Sequence, residues 1–350
     1  MSPARVTVFA DDLRTMATDT LKAAGLSDTH AVTVADSFVW ANLRGIDSHG
    51  ISRLPRYLEL FENGGAAKDP TLTAEKVRDG ALLVDANQAP GPVALSFAMQ
   101  EAIALARTTG VAWATVRGTV HTGAIGYYTS LAADAGMIGI GFVAGVPNMA
   151  YHGARGTAVA TSPLSIAVPT GDDADFVLDM ATATIALGKI NQYKARGEAL
   201  PQGAAVTADG LPTTDPAEAK IPLPVGGPKG SGMSLAFELL TSGLAANPIV
   251  SEFHSGTPEG RRHRQNASLI AVDISAFLPL DAFKTIVDET LAAVRGLSPQ
   301  GDAPVITPGQ RAAQTALQRG RDGISLPPKA WRSIQDAAAK YGVAGPVPAS

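Results

Sequence analysis

Apolar positions near the start of the chain recur at helical spacing: Leu13, Met16, Ala17, Leu21 and Ala24 form a stripe that Gly25 stops, with Asp11 or Asp12 placed to cap its start. Ser27 is placed to cap a second helix, which runs through Val32, Ala35, Phe38 and Val39 to Gly45, and Pro55 opens a third. Between them, Ile46-Asp47-Ser48-His49-Gly50 reads as a polar loop. From Ala81 the pattern changes to short β-branched runs alternating with helices: ALLVDA, a helix over 92–107, VAWATV, a helix over 124–135, then MIGIGFVA. LSIAVP, FVLDMA and ASLIAVDI continue the strands, with helices over 184–196, 233–246 and 280–295. Helices over 311–319 and 329–340 close the chain, and the Gly-, Pro- and Thr-rich stretch 201–228 reads as a long surface excursion. This rhythm predicts an α/β fold whose central sheet is covered by helices, with a helical layer formed by both chain termini. The expected divisions are 1–75 (helices and polar loop), 76–300 (α/β core) and 301–350 (helices packing on the first part).

Composition narrows the function. Of 350 residues, 45% are apolar and 17% charged, enough to bury a core without disulfides or metal. The net charge of -4 leaves no cationic field for a phosphate backbone, so no nucleic-acid partner is expected. The basic run Arg261-Arg262-His263-Arg264 reads as a solvated loop. The absence of cysteine removes thiolate nucleophiles and Cys-ligated zinc. MSPARVTVFADDLR carries acidic residues where a secretory signal would be apolar, and the longest apolar run, Met137 to Val146, is far short of the ~20 residues that span a bilayer. A cytoplasmic protein without a membrane partner is the expectation.

Several chemistries lack their signatures. MIGIGFVAGV has Gly139 and Gly141 but Ala144 where the third glycine of a dinucleotide fingerprint belongs, and it reads as a buried strand. No serine has the flanking glycines of a nucleophile elbow, and no histidine pair has the i, i+4 spacing of a helical zinc site, so no metal is expected. His30, His254 and His263 read as structural or surface residues. His49 differs, because Asp47, Ser48 and Arg53 accompany it in a Gly-bounded loop. An imidazole titrates near neutral pH and can exchange a proton with a developing alkoxide, while a guanidinium can hold a carboxylate by two parallel hydrogen bonds. From the residues alone, an ordinary capping loop is an equal reading. His121 opens HTGAIG after a strand, and Lys229 sits in GGPKGSG before a helix; both suit an anion or dinucleotide approaching backbone amides.

Taken in order, LRGIDSHGISRLPRY, HTGAIGYY, HGARGTAVATSPLSIAVP, VLDMATATIALGKI, GLPTTDP, PKGSGMSLAFELL and TPGQR resemble the malate/L-lactate dehydrogenase family of the second, non-Rossmann type, from Phe9 to Trp331. That family includes ureidoglycolate, sulfolactate and diketogulonate dehydrogenases and cyclic-imine reductases. The resemblance implies a nicotinamide-binding sheet of its own kind, a homodimer formed through the 76–300 core, and hydride exchange between NAD or NADP and C2 of a small 2-oxo or 2-hydroxy carboxylate. It implies His49, Ser48 and Lys189 at the reaction centre, with Arg53 on the substrate carboxylate and Tyr57, His121 and Thr161 lining the pocket. The cofactor would be held by His121, Thr122, Gly123, Ala124 and Ile125, by Asp179, Met180 and Ala181, by Lys229, and by Thr307, Pro308 and Gly309.

The chain departs from the family in two places. Pro228 stands where the family commonly has histidine, removing an imidazole and a backbone donor, and Ser162 replaces an asparagine. Lys189 stands where the imine-reducing branch tends to carry an acid, which leans towards oxygen acids; His152 also occurs in the imine branch. Reduction of a cyclic imine such as pyrroline- or piperideine-2-carboxylate, and a dinucleotide-binding protein without catalysis, are the alternative readings.

Overall fold

The computed structural model describes residues 5–171 and 174–348, so residues 1–4 of the N-terminal stretch lie outside it. Strand β1 (Val6–Val8) precedes α1 (Ala10–Ala23) and α2 (Asp28–Leu43). Helix α1 begins one residue before the expected aspartates. Phe9 is its N-cap, without a side-chain bond, while Asp11 and Asp12 lie in the first turn, where carboxylates complement the helix dipole and Asp11 pairs with Arg14. Ser27 does cap α2, accepting from the His30 N–H at 3.4 Å. The polar loop folds as two single 3₁₀ turns, Asp47–His49 and Ile51–Arg53, and runs into α3 (Leu54–Glu62).

The core continues with β2 (Thr73–Arg78), β3 (Ala81–Asp85), α4 (Gly91–Thr109), β4 (Val111–Thr119), α5 (Gly126–Asp134) and β5 (Met137–Gly145). A short hairpin, β6 (Met149–Ala150) and β7 (Thr157–Val159), leads to β8 (Leu164–Val168), β9 (Phe176–Met180) and α6 (Leu187–Arg196). The excursion holds a small sheet of β10 (Ala205–Val206), β11 (Pro212–Thr213) and β12 (Ile221–Pro222), pinned by its own apolar clusters. Then come α7 (Pro228–Glu238), which widens into a π-turn over Leu239–Gly243, α8 (Val250–His254), β13 (Gln265–Asp273) and α9 (Leu280–Arg295). Helix α10 (Gln310–Asp322), strand β14 (Ile324–Leu326) and helix α11 (Pro328–Ala339) follow.

The main sheet has seven strands in the order β2-β3-β4-β13-β5-β8-β9, and only β3 and β4 pair in parallel. Strand β13, late in the chain, inserts antiparallel between β4 and β5 and buries Ala267, Leu269 and Ala271 completely. Pleating then sorts the two faces of β5. Gly139 and Gly141 face α5, where a Cβ on Gly139 would lie 2.3 Å from the Thr129 carbonyl oxygen, while Phe142 stacks on Phe237 of α7 at 4.8 Å. Strand β2 carries no sequence signal because it is an edge strand, mostly exposed and charged. Both chain ends share the helical layer: β1 pairs with β14, α10 packs on α2 and α11 on α3, and Leu13, Phe38, Trp331 and Ile334 belong to the same core as the sheet residues. Among the described residues no helix is long and apolar enough to cross a membrane.

Because α5 lies flush on a glycine face, Gly139→Ala is expected to destabilise the fold by about 1–3 kcal/mol through overpacking. Urea unfolding at unchanged m-value would show it; unchanged stability would mean that α5 can shift freely.

Candidate active site

The polar loop is held from below by Asn42, fully buried near the end of α2. Its Oδ1 accepts the Ile51 N–H at 2.7 Å and its Nδ2 donates to Asp47 Oδ1 at 2.7 Å. Gly50 is required here, since a Cβ would lie 2.2 Å from the Asn42 side chain. Asp47 also takes both terminal nitrogens of Arg319 from α10, at 2.7 and 3.1 Å. The loop so fixed presents Ser48, His49 and Arg53. Ser48 Oγ lies 2.9 Å from His49 Nδ1, and Arg53 Nε donates to the Ser48 carbonyl at 2.6 Å, leaving the two terminal nitrogens of Arg53 for a ligand.

Tyr57, one turn into α3 and buried against Phe38, ties this loop to His121. Its hydroxyl donates to the His121 carbonyl at 2.6 Å and lies 3.1 Å from His121 Nδ1. A phenol has one proton. With that proton on the carbonyl, Nδ1–H donates to the phenol oxygen and Nε2 of His121 is left as an acceptor. The His121 and His49 rings stack with centroids 5.7 Å apart and 15° between planes. Five residues from three segments therefore meet: Ser48, His49 and Arg53 of the loop, Tyr57 of α3, and His121.

Burial sets the charge of this pair. It lowers His49 to about 4, with the Arg53 guanidinium adding to the effect. His121 falls well below the usual imidazole range, first by burial and then by facing His49, Arg53, His263 and Arg56. Burial likewise raises Tyr57, against the pull of Arg53, so its proton stays on. Both imidazoles are neutral at pH 7, beside a cation.

The other expected residues form a second arm. Thr122, Gly123, Ala124 and Ile125 lead into α5; the Thr122 N–H donates to Gln265 at 2.7 Å and Gly123 has φ +71°. The Gly126 N–H donates to Asp179 Oδ2 at 2.8 Å, joining this segment to the end of β9 with Met180 and Ala181. Burial raises Asp179 to about 6 against that hydrogen bond. The Thr307-Pro308-Gly309 turn sits at the other end of β9, where the Pro308 carbonyl accepts from Val177 at 3.4 Å. Thr161 accepts at its carbonyl from the Thr182 N–H at 3.0 Å, and exposed Lys229 lies in the first turn of α7, packed on Thr182 through Val225 and Gly230. Lys189 is exposed on α6; its neighbour Gly188 lies against Ser48, with a Cβ there 3.1 Å from that of Ser48.

These residues fit a dinucleotide. Thr182 Oγ1 is buried without a partner beside the Asp179–Ala181 segment, Gly123, Gly226 and Gly227 have positive φ, and exposed Lys229 carries the charge that a phosphate would pair with. Pro228 is the first residue of α7, where a missing N–H costs no helical bond.

Asn42, Arg319 and Gln265 were not legible as site residues in the sequence. In the basic run Arg261, Arg262 and His263 are exposed, as in a solvated loop, while Arg264 is largely buried on Glu252 and the Pro248 carbonyl just before β13 starts at Gln265.

The sequence profile of the malate/L-lactate dehydrogenase family matches residues 8–335. An L-sulfolactate dehydrogenase of Methanocaldococcus jannaschii is 34% identical over 327 residues, 93% of this chain and 94% of that protein. A ureidoglycolate dehydrogenase (NAD(+)) of Escherichia coli is 32% identical over 311 residues, 87% of each. A solved structure, delta1-piperideine-2-carboxylate reductase from Pseudomonas syringae, superposes with TM-score 0.84 at 28% identity, over 95% of this chain and 99% of that one.

A histidine whose folded pKa lies below its unfolded value of about 6.5 favours the folded state only while neutral. His49, at about 4, therefore contributes stability that is full above pH 6.5 and lost as pH falls from there to 4. The stability difference between the native chain and His49→Gln is expected to shift against the native chain between pH 7 and 4.5 in urea titrations. A pH-independent difference would place His49 in solvent.

Proposed function

The chain belongs to the malate/L-lactate dehydrogenase family, and from that premise we propose that His49 exchanges the proton, and Arg53 holds the carboxylate, in the interconversion of a small 2-hydroxy acid and its 2-oxo acid. The protein is a nicotinamide-dependent oxidoreductase. When bound, the nicotinamide supplies or accepts the hydride at C2. NAD or NADP is held in this reading by the 121–125 segment, Asp179, Met180, Ala181, Lys229 and the 307–309 turn, with the unpartnered Thr182 hydroxyl as a further donor.

The observation that carries the assignment is the stacked pair of neutral imidazoles beside Arg53. In the oxidative direction, His49 is already unprotonated at pH 7 and takes the hydroxyl proton at Nε2, since Nδ1 is engaged by Ser48. A substrate carboxylate on the free edge of Arg53 offsets the guanidinium charge and so raises the affinity of His49 for a proton, which is what the reductive direction needs. Tyr57 keeps His121 in one tautomer, and Gly188 lies against Ser48 from the α6 side, next to exposed Lys189.

Reduction of a cyclic imino acid, with the proton delivered to nitrogen, is the second reading. The fold shared with the piperideine-2-carboxylate reductase favours it; the exposed cation Lys189 beside the loop favours the oxygen acid. The chain is also proposed to act as a homodimer. Leu235, Leu239, Leu240 and Leu244 stand exposed along α7 and its π-turn, an apolar patch that a second copy would cover.

His49→Ala is expected to lower kcat by ~10²–10⁴-fold while leaving the dissociation constant of reduced cofactor nearly unchanged. Arg53→Lys, which keeps charge but loses the planar fork, should raise KM for the 2-oxo acid by about 10–100-fold. The substrate panel is pyruvate, oxaloacetate, ureidoglycolate and piperideine-2-carboxylate with each dinucleotide. Near-normal turnover of His49→Ala, or turnover with the imine alone, would remove the assignment made here.

A further inference from the structure

We propose that Arg319, on the C-terminal helix α10, is a positioning residue for the reaction centre: it sets the orientation of His49 and Arg53 through Asp47 and Asn42. The inference rests on the assignment of His49 and Arg53 above and goes beyond it by placing a determinant of their reactivity outside the cleft.

Arg319 is a fork with three acceptors: the Asn42 carbonyl, Asp47 Oδ1 at 2.7 Å and Asp47 Oδ2 at 3.1 Å. The Asn42 carbonyl, in the last turn of α2, accepts from the Gly45 N–H at 3.0 Å and takes Arg319 on its second lone pair, so one cation both braces a helix end and neutralises Asp47. Every further contact runs from there into the site. Asn42 holds Asp47 on one side and the Ile51 N–H on the other. The Asp47 carbonyl accepts from Ser52 Oγ at 3.0 Å, and Gly50 is pressed against the Asn42 amide. His49 lies between these fixed points, and Arg53 closes the loop on the Ser48 carbonyl. Neither 3₁₀ turn of the loop has a side-chain cap. The 15° stacking of His49 on His121 therefore depends on where Arg319 holds Asp47. The pair is partly shielded, with side-chain exposures of 21% for Arg319 and 32% for Asp47, and Arg319 itself reaches neither imidazole.

A misplacement of the order of 1 Å in a reacting group costs up to about 100-fold in rate. Arg319→Gln is accordingly expected to lower kcat/KM for the 2-oxo acid by about 10–100-fold, with kcat and KM both changed. The dissociation constant of reduced cofactor, read from its fluorescence, should stay within about twofold. The acid limb of the kcat pH profile should shift, because His49 no longer faces the same neighbours. Arg319→Lys, with one ammonium for three acceptors, should fall between, and serves as the test if Arg319→Gln does not fold. In the His49→Gln background, Arg319→Gln should change kcat by less than about twofold, because the proton-exchanging group it positions is gone, while the rise in KM through Arg53 persists.

The inference is overturned if Arg319→Gln lowers only the thermal midpoint while kcat, KM and the pH profile stay native, or if its effect on kcat is as large in the His49→Gln background. Near-normal turnover of His49→Gln alone would instead sink the reading on which the inference rests, so the two failures are distinct.

Discussion

Two imidazoles stacked 5.7 Å apart beside a half-buried guanidinium cannot readily carry further positive charge, and the chemistry of the cleft follows from that constraint. Burial keeps His49 and His121 neutral, the proton of Tyr57 fixes the tautomer of one ring, and Ser48 occupies one nitrogen of the other. What remains is a pair of outward nitrogens and the free edge of Arg53. A small carboxylate with an oxygen at C2 supplies the negative charge that this arrangement lacks.

The fold holds that arrangement by bringing together segments far apart in the chain. Strand β13, inserted between β4 and β5, delivers Gln265 to the Thr122 N–H and Asn266 to the Gly118 N–H. These contacts shape the turn that carries His121. Asp179, at the end of β9, receives the Gly126 N–H, so the sheet edge and the start of α5 are set by one carboxylate. The same carboxylate is raised to about 6 by burial, opposite in sign to the histidines: its neutral form is the one that folding favours. Close approach at these junctions is possible because glycines occupy them. At Gly91 a Cβ would lie 2.3 Å from the Thr122 Cα, so α4 too is pressed against the segment that carries His121.

Much of this was legible in the sequence where the signal is local. Helix α2 follows from Ser27 and its apolar stripe, and β5 was readable as a buried strand because its glycines sit at alternate positions in a β-branched run. The loop at 47–53 drew attention because a histidine, a serine and an arginine lie within one short polar segment. Strand β2 was not readable, since an exposed edge strand shows no alternation, and β1 and β14 are short strands that gain order only by pairing with each other.

The sequence by itself determined the α/β architecture, the glycine-bounded loops, the candidate imidazole and guanidinium, and the family resemblance that gives the reaction class. Only the tertiary structure decided what holds those groups and how they ionise. Arg319 meets Asn42 across 277 positions and Asp47 across 272, and Gln265 meets Thr122 across 143. Such hydrogen bonds obey no period, and the desolvation that keeps His49 neutral is a property of the packed surroundings. Neither leaves a mark on the residues nearby in sequence, so both exist only once the chain is folded.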